Sequence, residues 1–150
     1  MAAVVTLREI TAETVRTICD LEVAPEQRGF VARNAESIAQ AYFEPKAWFR
    51  AVYAGDEPVG FVMLLDDREQ ERYYLWRFMI AAEHQGKGYG RAALDRLVAE
   101  VRTRPGAREL LCSYVPGEGS PGEFYRRYGF VETGEEHGGE RVIRLVLTAP

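Results

Sequence analysis

One feature limits the possible folds of this chain more than any other: an apolar run, followed by a glycine-rich turn and an amphipathic helix. Residues 73–80 contain one charged side chain, Arg77, and predict a strand that is covered on both faces. Apolar residues then recur at intervals of three and four across residues 88–102, which is typical of a helix. A second apolar run at residues 109–115 predicts another strand. Because strand–helix–strand units favour parallel strands, we expect a parallel pair at the centre of a larger sheet.

The remaining segments predict an α+β fold in a single domain, residues 1–150, because no repeat or linker divides the chain. Further strands are predicted at residues 4–8, 47–53, 59–65, 130–136 and 141–147. Helix caps are predicted at Thr11, at Asn34 or Ser37, and at Ser120, with Pro121 at the first helical position and Glu123 at the third. We therefore expect a mixed, mostly antiparallel sheet of about seven strands with a central parallel pair, flanked by about four helices.

Composition and charge argue against several classes of function. A formal charge of −4 over 150 residues argues against a nucleic-acid partner, since phosphates require a basic face. The cysteines, Cys19 and Cys112, and the histidines, His84 and His137, are too few and too scattered for a zinc site. No apolar stretch approaches the roughly 18 residues of a membrane span, and the first residues do not resemble a secretory signal. We predict a cytoplasmic protein that binds no metal, nucleic acid or membrane.

The turn between strand and helix gives the clearest indication of a ligand-binding site. Its sequence is Gln85-Gly86-Lys87-Gly88-Tyr89-Gly90-Arg91. Its three alternating glycines allow positive φ angles and let a ligand approach bare backbone. The helix start adds free N–H donors and a partial positive charge, beside Lys87 and Arg91. A phosphate or pyrophosphate is the natural occupant, and a glycine turn without a ligand is the alternative. The spacing fits neither G-x-x-x-x-G-K-[ST] nor G-x-G-x-x-G.

Two motifs in this order resemble those of the GCN5-related N-acetyltransferases. The turn matches their Q/R-x-x-G-x-G/A signature through Gln85, Gly88 and Gly90, in the same strand–loop–helix setting. Residues 124–130, Phe-Tyr-Arg-Arg-Tyr-Gly-Phe, resemble the F-Y-x-x-x-G-F segment of that family. Residues 75–80 followed by the turn look most like the diamine and spermine/spermidine acetyltransferase branch. The resemblance covers nearly the whole chain and implies the fold of that family.

The resemblance also implies a cosubstrate and roles for particular residues. Acetyl-coenzyme A would be the acyl donor. Its pyrophosphate would be bound mainly through main-chain amides of Gln85, Gly86, Lys87, Gly88, Tyr89, Gly90 and Arg91. Its pantetheine arm would pair with the backbone of Phe78, Met79 and Ile80. Tyr125 would be the general acid that protonates the departing thiolate, because a phenol is protonated at neutral pH. Tyr128 is the competing tyrosine, and a solvated helical residue is the alternative for Tyr125.

The acceptor implied by the resemblance is a primary amine of a small molecule, a polyamine or diamine, attacking directly in a ternary complex. Glu22, Glu26 and Glu118 are the candidate contacts for a cationic amine, although each could equally be an ordinary solvated carboxylate. The central strand has Trp76-Arg77 where some polyamine acetyltransferases carry acidic residues, so a base on this strand is not expected. An aminoglycoside, a peptide N-terminus and a non-catalytic acyl-coenzyme A sensor are the alternative interpretations. The family resemblance further suggests a homodimer.

Overall fold

Seven strands form one sheet within residues 3–147, the part of the protein that this computed structural model describes. In chain order the strands are β1 (Val5–Arg8), β2 (Ala47–Ala54), β3 (Glu57–Asp67), β4 (Arg72–Ile80), β5 (Glu109–Tyr114), β6 (Val131–His137) and β7 (Glu140–Val146). Their order across the sheet is β1-β2-β3-β4-β5-β7-β6. Neighbours run antiparallel except β4 and β5, which are parallel. The predicted mixed sheet with a central parallel pair is confirmed.

Helices connect these strands at the predicted places. The helical elements are α1 (Val15–Asp20), α2 (Asn34–Tyr42), α3 (Tyr89–Arg102) and α4 (Gly122–Tyr128), with single 3-10 turns at Pro25–Gln27 and Ala82–His84. Within residues 3–147, the four α-helices agree with the predicted number. Two predicted caps are wrong: the cap position of α1 is Thr14 rather than Thr11, and that of α2 is Arg33 rather than Asn34 or Ser37. Among the residues described, no helix is long and apolar enough to cross a membrane.

The start of α4 follows the predicted capping arrangement only in part. The Ser120 hydroxyl accepts a hydrogen bond from the Gly122 amide at 3.3 Å, as expected of a capping serine. The helix itself begins at Gly122 rather than at Pro121. Glu123, expected to reach back toward the cap, instead pairs with Arg127 one turn later, at 2.7 Å. The proline therefore forms the turn before the helix, and the glutamate stabilises the helix surface.

Both faces of the sheet are covered, which explains the continuous apolar runs of its central strands. On one face, Leu97 of α3 belongs to a cluster of buried residues that includes Val62. On the opposite face, Ile18 of α1 belongs to a second cluster that includes Phe61. Consecutive residues of β3 thus point into different cores, because side chains alternate along a strand. The α3/α4 face and the α1/α2 face of the sheet are named accordingly below.

The parallel pair is short, and the two strands separate after it. Backbone pairing joins Tyr74 to Leu111 and Leu75 to Cys112, and no further pairs join β4 to β5 in the described residues. The last five residues of β4 therefore have no strand on the β5 side, and four of them pair with β3 on the other edge. In a parallel or antiparallel ladder, every second residue turns its N–H and C=O groups toward each edge. The separation consequently leaves unpaired backbone groups in the middle of the sheet.

A β-bulge lies in β4 at the point of separation. Met63 pairs with Arg77 and Leu64 pairs with Leu75, so Trp76 is the extra residue. Trp76 packs into the cluster on the α1/α2 face, and the next side chain, Arg77, donates a hydrogen bond to Gln40 of α2 at 3.0 Å. Two consecutive side chains thus point to the same face, which normal strand alternation would not allow.

Candidate active site

A cavity of about 800 Å³ occupies the gap between β4 and β5. Its lining comes from the end of β4, the glycine turn, the start of α3, the end of β5, the start of α4 and the segment between α1 and α2. The cavity reaches residues on both faces of the sheet, including Phe124 of α4 and Arg77 beside α2. Its volume suits a small molecule of cofactor size. Two ligands could therefore meet here from opposite faces.

The glycine turn forms one end of this cavity. Gly86 and Gly88 have φ angles of 78° and 83°, values that a side chain disfavours, and α3 begins directly after Gly88. The first amides of a helix have no partner within the helix, and the positive end of its dipole lies there. Gly86, Gly88, Tyr89, Gly90 and Arg91 line the cavity, whereas Lys87 is exposed and lies outside its lining. The turn therefore presents backbone donors and one arginine to the cavity.

The side chain of Gln85 fixes the position of this turn. Its amide Nε2 donates to the Ile80 carbonyl at the end of β4, at 2.9 Å. The same group donates to Oε1 of Gln27 at 2.8 Å, and Gln27 Nε2 donates back to Gln85 Oε1 at 3.2 Å. Gln85 thus ties the turn to the strand and to the segment between α1 and α2. Sequence reasoning missed Gln27, since nothing local marks it as the partner of a residue 58 positions away.

The residues predicted to pair with a pantetheine arm lie along the open edge of β4. Phe78, Met79 and Ile80 all line the cavity, and Met79 and Ile80 are buried. The Phe78 ring stacks on Phe124 of α4, with ring centroids 6.1 Å apart. The side chains of Phe78, Met79 and Ile80 therefore contribute to the two cores and to the cavity wall. Among the described residues, no strand pairs with this segment on the β5 side, which leaves its alternate N–H and C=O groups available to a ligand, apart from the Ile80 carbonyl that Gln85 occupies.

Tyr125 lies on α4 and reaches the same cavity from the α3/α4 face. It is 5% exposed, and its ring contacts Phe130 with centroids 5.4 Å apart. Burial, together with the neighbouring Cys112, raises the pKa of Tyr125 well above that of a free phenol, so its hydroxyl is protonated at neutral pH. Burial likewise raises the pKa of Cys112 to about 12. The thiol and the phenol are therefore both neutral, and both residues line the cavity.

Tyr128, the competing tyrosine, lies in a different environment. Its hydroxyl donates a hydrogen bond to Asp95 of α3 at 2.7 Å, and it is not among the residues that line the cavity. Burial and the Asp95 carboxylate raise its pKa. Arg91 lies over its ring, 5.6 Å from the centroid. Of the two tyrosines, Tyr125 is the one positioned in the cavity.

Residues 30–130 match the family model of the acetyltransferase (GNAT) family, which spans the glycine turn and the Phe-Tyr segment. The chain belongs to this family. It is 26% identical over 150 residues to the spermine/spermidine N(1)-acetyltransferase of Bacillus subtilis strain 168, covering 93% of this chain and 96% of that protein. A probable spermine N(1)-acetyltransferase of Bacillus subtilis subsp. natto matches to the same extent.

Solved structures show the same fold at lower sequence identity. An acetyltransferase from Thermus thermophilus superposes with a TM-score of 0.77 at 20% identity, over 98% of this chain and all of the other. A spermidine N-acetyltransferase from Vibrio cholerae, solved in complex with CoA and spermine, gives 0.73 at 18% identity, over 95% of each chain. These structures support the fold, and family membership makes the chain a GNAT acetyltransferase.

The acidic residues predicted to contact an amine do not line the cavity of this GNAT acetyltransferase. Glu22 forms ion pairs with Arg33 at 3.3 Å and with Arg28 at 3.8 Å. Glu26 and Glu118 are exposed and lie one residue away from lining residues of the cavity. The structure thus places all three carboxylates outside the gap between β4 and β5. Any effect of these carboxylates on an amine would therefore act from the surface around the cavity.

One carboxylate that sequence reasoning overlooked does line the cavity. Glu140, at the start of β7, accepts a hydrogen bond from the Ser113 hydroxyl of β5 at 3.0 Å. The sequence indicates only a glycine-rich hairpin around this residue. The β5–β7 register, with Val142 opposite Ser113, is what brings Glu140 to the gap. Sequence periodicity contains no signal for such a non-local pairing. Within residues 3–147, no group of three His, Cys, Asp or Glu side chains is arranged to hold a metal ion.

Proposed function

We propose that this GNAT acetyltransferase transfers an acetyl group from acetyl-coenzyme A to a primary amine of a small molecule by direct attack in a ternary complex. The observation that carries the proposal is the single cavity that connects the glycine turn to Tyr125 through the gap between β4 and β5. A donor bound from the α3/α4 face and an acceptor bound from the α1/α2 face would meet in that gap. Holding two reactants together in this way can contribute roughly 7–11 kcal/mol to catalysis.

The features of the cavity fit the parts of coenzyme A. The amides of residues 86–91, with the positive end of α3 and the Arg91 side chain, suit the pyrophosphate. Lys87, although outside the cavity lining, adds positive charge beside the turn. The edge of β4 at Phe78, Met79 and Ile80 has no strand on the β5 side within residues 3–147, and Gln85 occupies the Ile80 carbonyl. The remaining edge groups suit an extended arm that carries amide groups, as an additional strand would. We place the thioester near Tyr125 accordingly.

The proposed chemistry transfers protons at defined atoms. The neutral amine attacks the thioester carbonyl, the carbon–sulfur bond breaks, and its electron pair stays on the sulfur. Tyr125, protonated because burial raises its pKa, donates its hydroxyl proton to that sulfur. The proton lost from nitrogen as the amide forms restores the phenol. An ammonium acceptor must lose one further proton before attack, so one proton is released in each turnover.

A di- or polyamine is the acceptor class that we propose first. The curated relatives at 26% identity are named for spermine and spermidine, and the chain itself is acidic, with a charge of −4. Glu22, Glu26 and Glu118 would then attract a polycation from the surface around the cavity rather than bind its reacting nitrogen. This accords with their positions on exposed or half-exposed surface.

A second acceptor class, amines that also carry a carboxylate, is favoured by Arg77. Its side chain lines the cavity, and its buried Nε has no hydrogen-bond partner in the described part of the chain. A guanidinium binds a carboxylate well and repels a polycation. Amino acids therefore belong in any acceptor screen, beside aminoglycosides and short peptides.

The test is thiol release from acetyl-coenzyme A with a panel of spermine, spermidine, shorter diamines, amino acids, aminoglycosides and short peptides. We expect turnover with di- or polyamines, and preferential turnover of amino acids would select the second class. Tight coenzyme A binding without turnover of any amine would contradict the proposed reaction and indicate an acyl-coenzyme A sensor.

We also propose that the protein is a homodimer, in which α2 contributes to the interface. Tyr42 and Phe43 are 85% and 81% exposed, and their rings contact edge to face beside an apolar groove lined by Phe49. Two adjacent exposed aromatic side chains are typical of a protein interface. We expect a dimer in sedimentation velocity and a monomer for Phe43→Ser. A monomeric wild-type protein at micromolar concentration would contradict the proposal.

A further inference from the structure

We propose that Glu140 is the carboxylate that binds the acceptor ammonium and accepts its proton before attack. This inference rests on the proposed function and assigns its missing base. Glu140 is the one acidic residue among those of residues 3–147 that line the cavity. A general base contributes typically about 10²–10⁴-fold to a rate when it is held within reach of the proton that it accepts.

The position of Glu140 follows from the way in which the sheet opens. Ser113 and Glu140 lie beyond the last paired residues of β4 and β5, so they border the gap rather than the closed part of the sheet. The Ser113 hydroxyl holds Oε1 of the carboxylate at 3.0 Å. The other oxygen, Oε2, has no hydrogen-bond or ion-pair partner within residues 3–147. One oxygen is therefore oriented by the protein and the second is available to an ammonium group.

The charged and titratable groups around Glu140 are consistent with this role. The Glu140 carboxylate acts to raise the pKa values of Tyr74 and Arg77 on β4 and of Cys112 on β5, and His137 pairs with Glu140 across the hairpin on β6. Burial lowers the pKa of Arg77, and the carboxylate of Glu140 is among the charges that oppose this.

Arg77 does not neutralise Glu140 by direct contact. Its two terminal nitrogens donate to the Trp76 carbonyl at 3.2 Å and to Gln40 Oε1 at 3.0 Å. No ion pair within 4.0 Å joins the two residues in the described structure. The negative charge of Glu140 therefore lies at the gap without an ion-pair partner among the described residues. A cationic acceptor could supply the missing partner.

The proton transfer proposed for Glu140 is balanced. The ammonium nitrogen of the acceptor gives one proton to Oε2, which leaves a neutral amine with a free electron pair. That pair forms the bond to the thioester carbon, and Glu140 later releases its proton to solvent. This is the one proton that each turnover must release, since the second nitrogen proton restores Tyr125.

Glu140→Gln tests the assignment, because the amide keeps the hydrogen bond from Ser113 but cannot accept the proton. At neutral pH we expect kcat/KM for the acceptor to fall about 100-fold while coenzyme A affinity by calorimetry stays within about twofold. Ser113→Ala should produce a smaller loss by releasing the carboxylate. Glu136→Gln, a change at an exposed carboxylate of the same hairpin, is the matched control and should retain wild-type activity.

A second acceptor separates a base from a merely structural carboxylate. An analogue of the best acceptor with two fluorines β to the reacting amine is much less basic, so a far larger fraction of that amine is already neutral at neutral pH. If Glu140 accepts the proton, the loss caused by Glu140→Gln should shrink to about tenfold or less with this analogue. A structural role would give the same loss with both acceptors and would overturn the assignment.

The outcomes for Glu140 and for the proposed function are distinguishable. An active wild-type protein with a Glu140→Gln variant of equal kcat/KM would refute the role of Glu140 and leave the function intact. A wild-type protein that binds coenzyme A but acetylates no amine would refute the function, and the role of Glu140 with it.

Discussion

Gly88 offers the sharpest test of the phosphate-binding turn, because one position allows strain and charge to be varied separately. Its φ of 83° lies in the left-handed region, and a Cβ built there would have no neighbour within 4 Å. Gly88→Ala should therefore cost about 1–2 kcal/mol of stability through backbone strain alone. For a chain of this size, that cost corresponds to a melting temperature lower by about 2–8 °C. Coenzyme A should still bind within about threefold of wild type.

Gly88→Glu adds a negative charge to the same strained position. A carboxylate at the start of α3 recovers about 0.3–1 kcal/mol from the helix dipole, so this variant should be no less stable than Gly88→Ala. Facing a pyrophosphate, however, the charge should cost about 1–4 kcal/mol per charge pair at roughly 4 Å, depending on solvent screening. At about 1.4 kcal/mol per tenfold, affinity for coenzyme A should fall about fivefold to about a thousandfold relative to Gly88→Ala.

Differential scanning calorimetry and isothermal titration calorimetry of both variants measure these two effects independently. The affinity loss of Gly88→Glu should also diminish as the ionic strength rises, since salt screens exposed charges. If Gly88→Glu binds coenzyme A within about twofold of Gly88→Ala, the turn does not face the pyrophosphate and the reasoning from helix and glycine geometry is refuted.

Three further predictions test the cavity and the core. Tyr125→Phe should lower kcat about 100-fold and leave coenzyme A affinity within about twofold; wild-type turnover would move the acid elsewhere. Asp66→Ala removes a buried partner of Arg104, 3.1 Å away, and should cost about 3 kcal/mol in urea denaturation; a change under about 1 kcal/mol would contradict this prediction. Cys112, with a pKa of about 12, should react with iodoacetamide at about pH 8 roughly a hundredfold more slowly than the partly exposed Cys19. Mass spectrometry measures both rates, and equal rates would contradict the burial of Cys112.

Much of the fold was predictable because its elements are encoded by local patterns. The predicted strand at residues 73–80 corresponds to β4, and the helical period across residues 88–102 corresponds to α3, within one residue of each predicted boundary. These predictions succeeded because side-chain periodicity is set by short-range backbone geometry. The glycine turn was equally predictable, since positive φ angles favour glycine wherever the chain folds.

The contacts for the acceptor amine were less accessible to sequence reasoning. Glu22, Glu26 and Glu118 were selected because they are acidic and near predicted loops, yet they lie outside the cavity and their role stays a prediction. Glu140 was not predictable as a site residue, because its position at the cavity depends on pairing with the strand of Ser113, 27 residues away.

By itself, the sequence determined which segments are strands and helices and where an anion could meet bare backbone. The tertiary structure alone decided where β4 and β5 separate, why Trp76 bulges, and that Glu140 and Tyr125 border one gap. The physical reason is the range of the interactions. Turn and helix geometry depend on neighbouring residues, whereas strand register depends on packing between segments far apart in the chain.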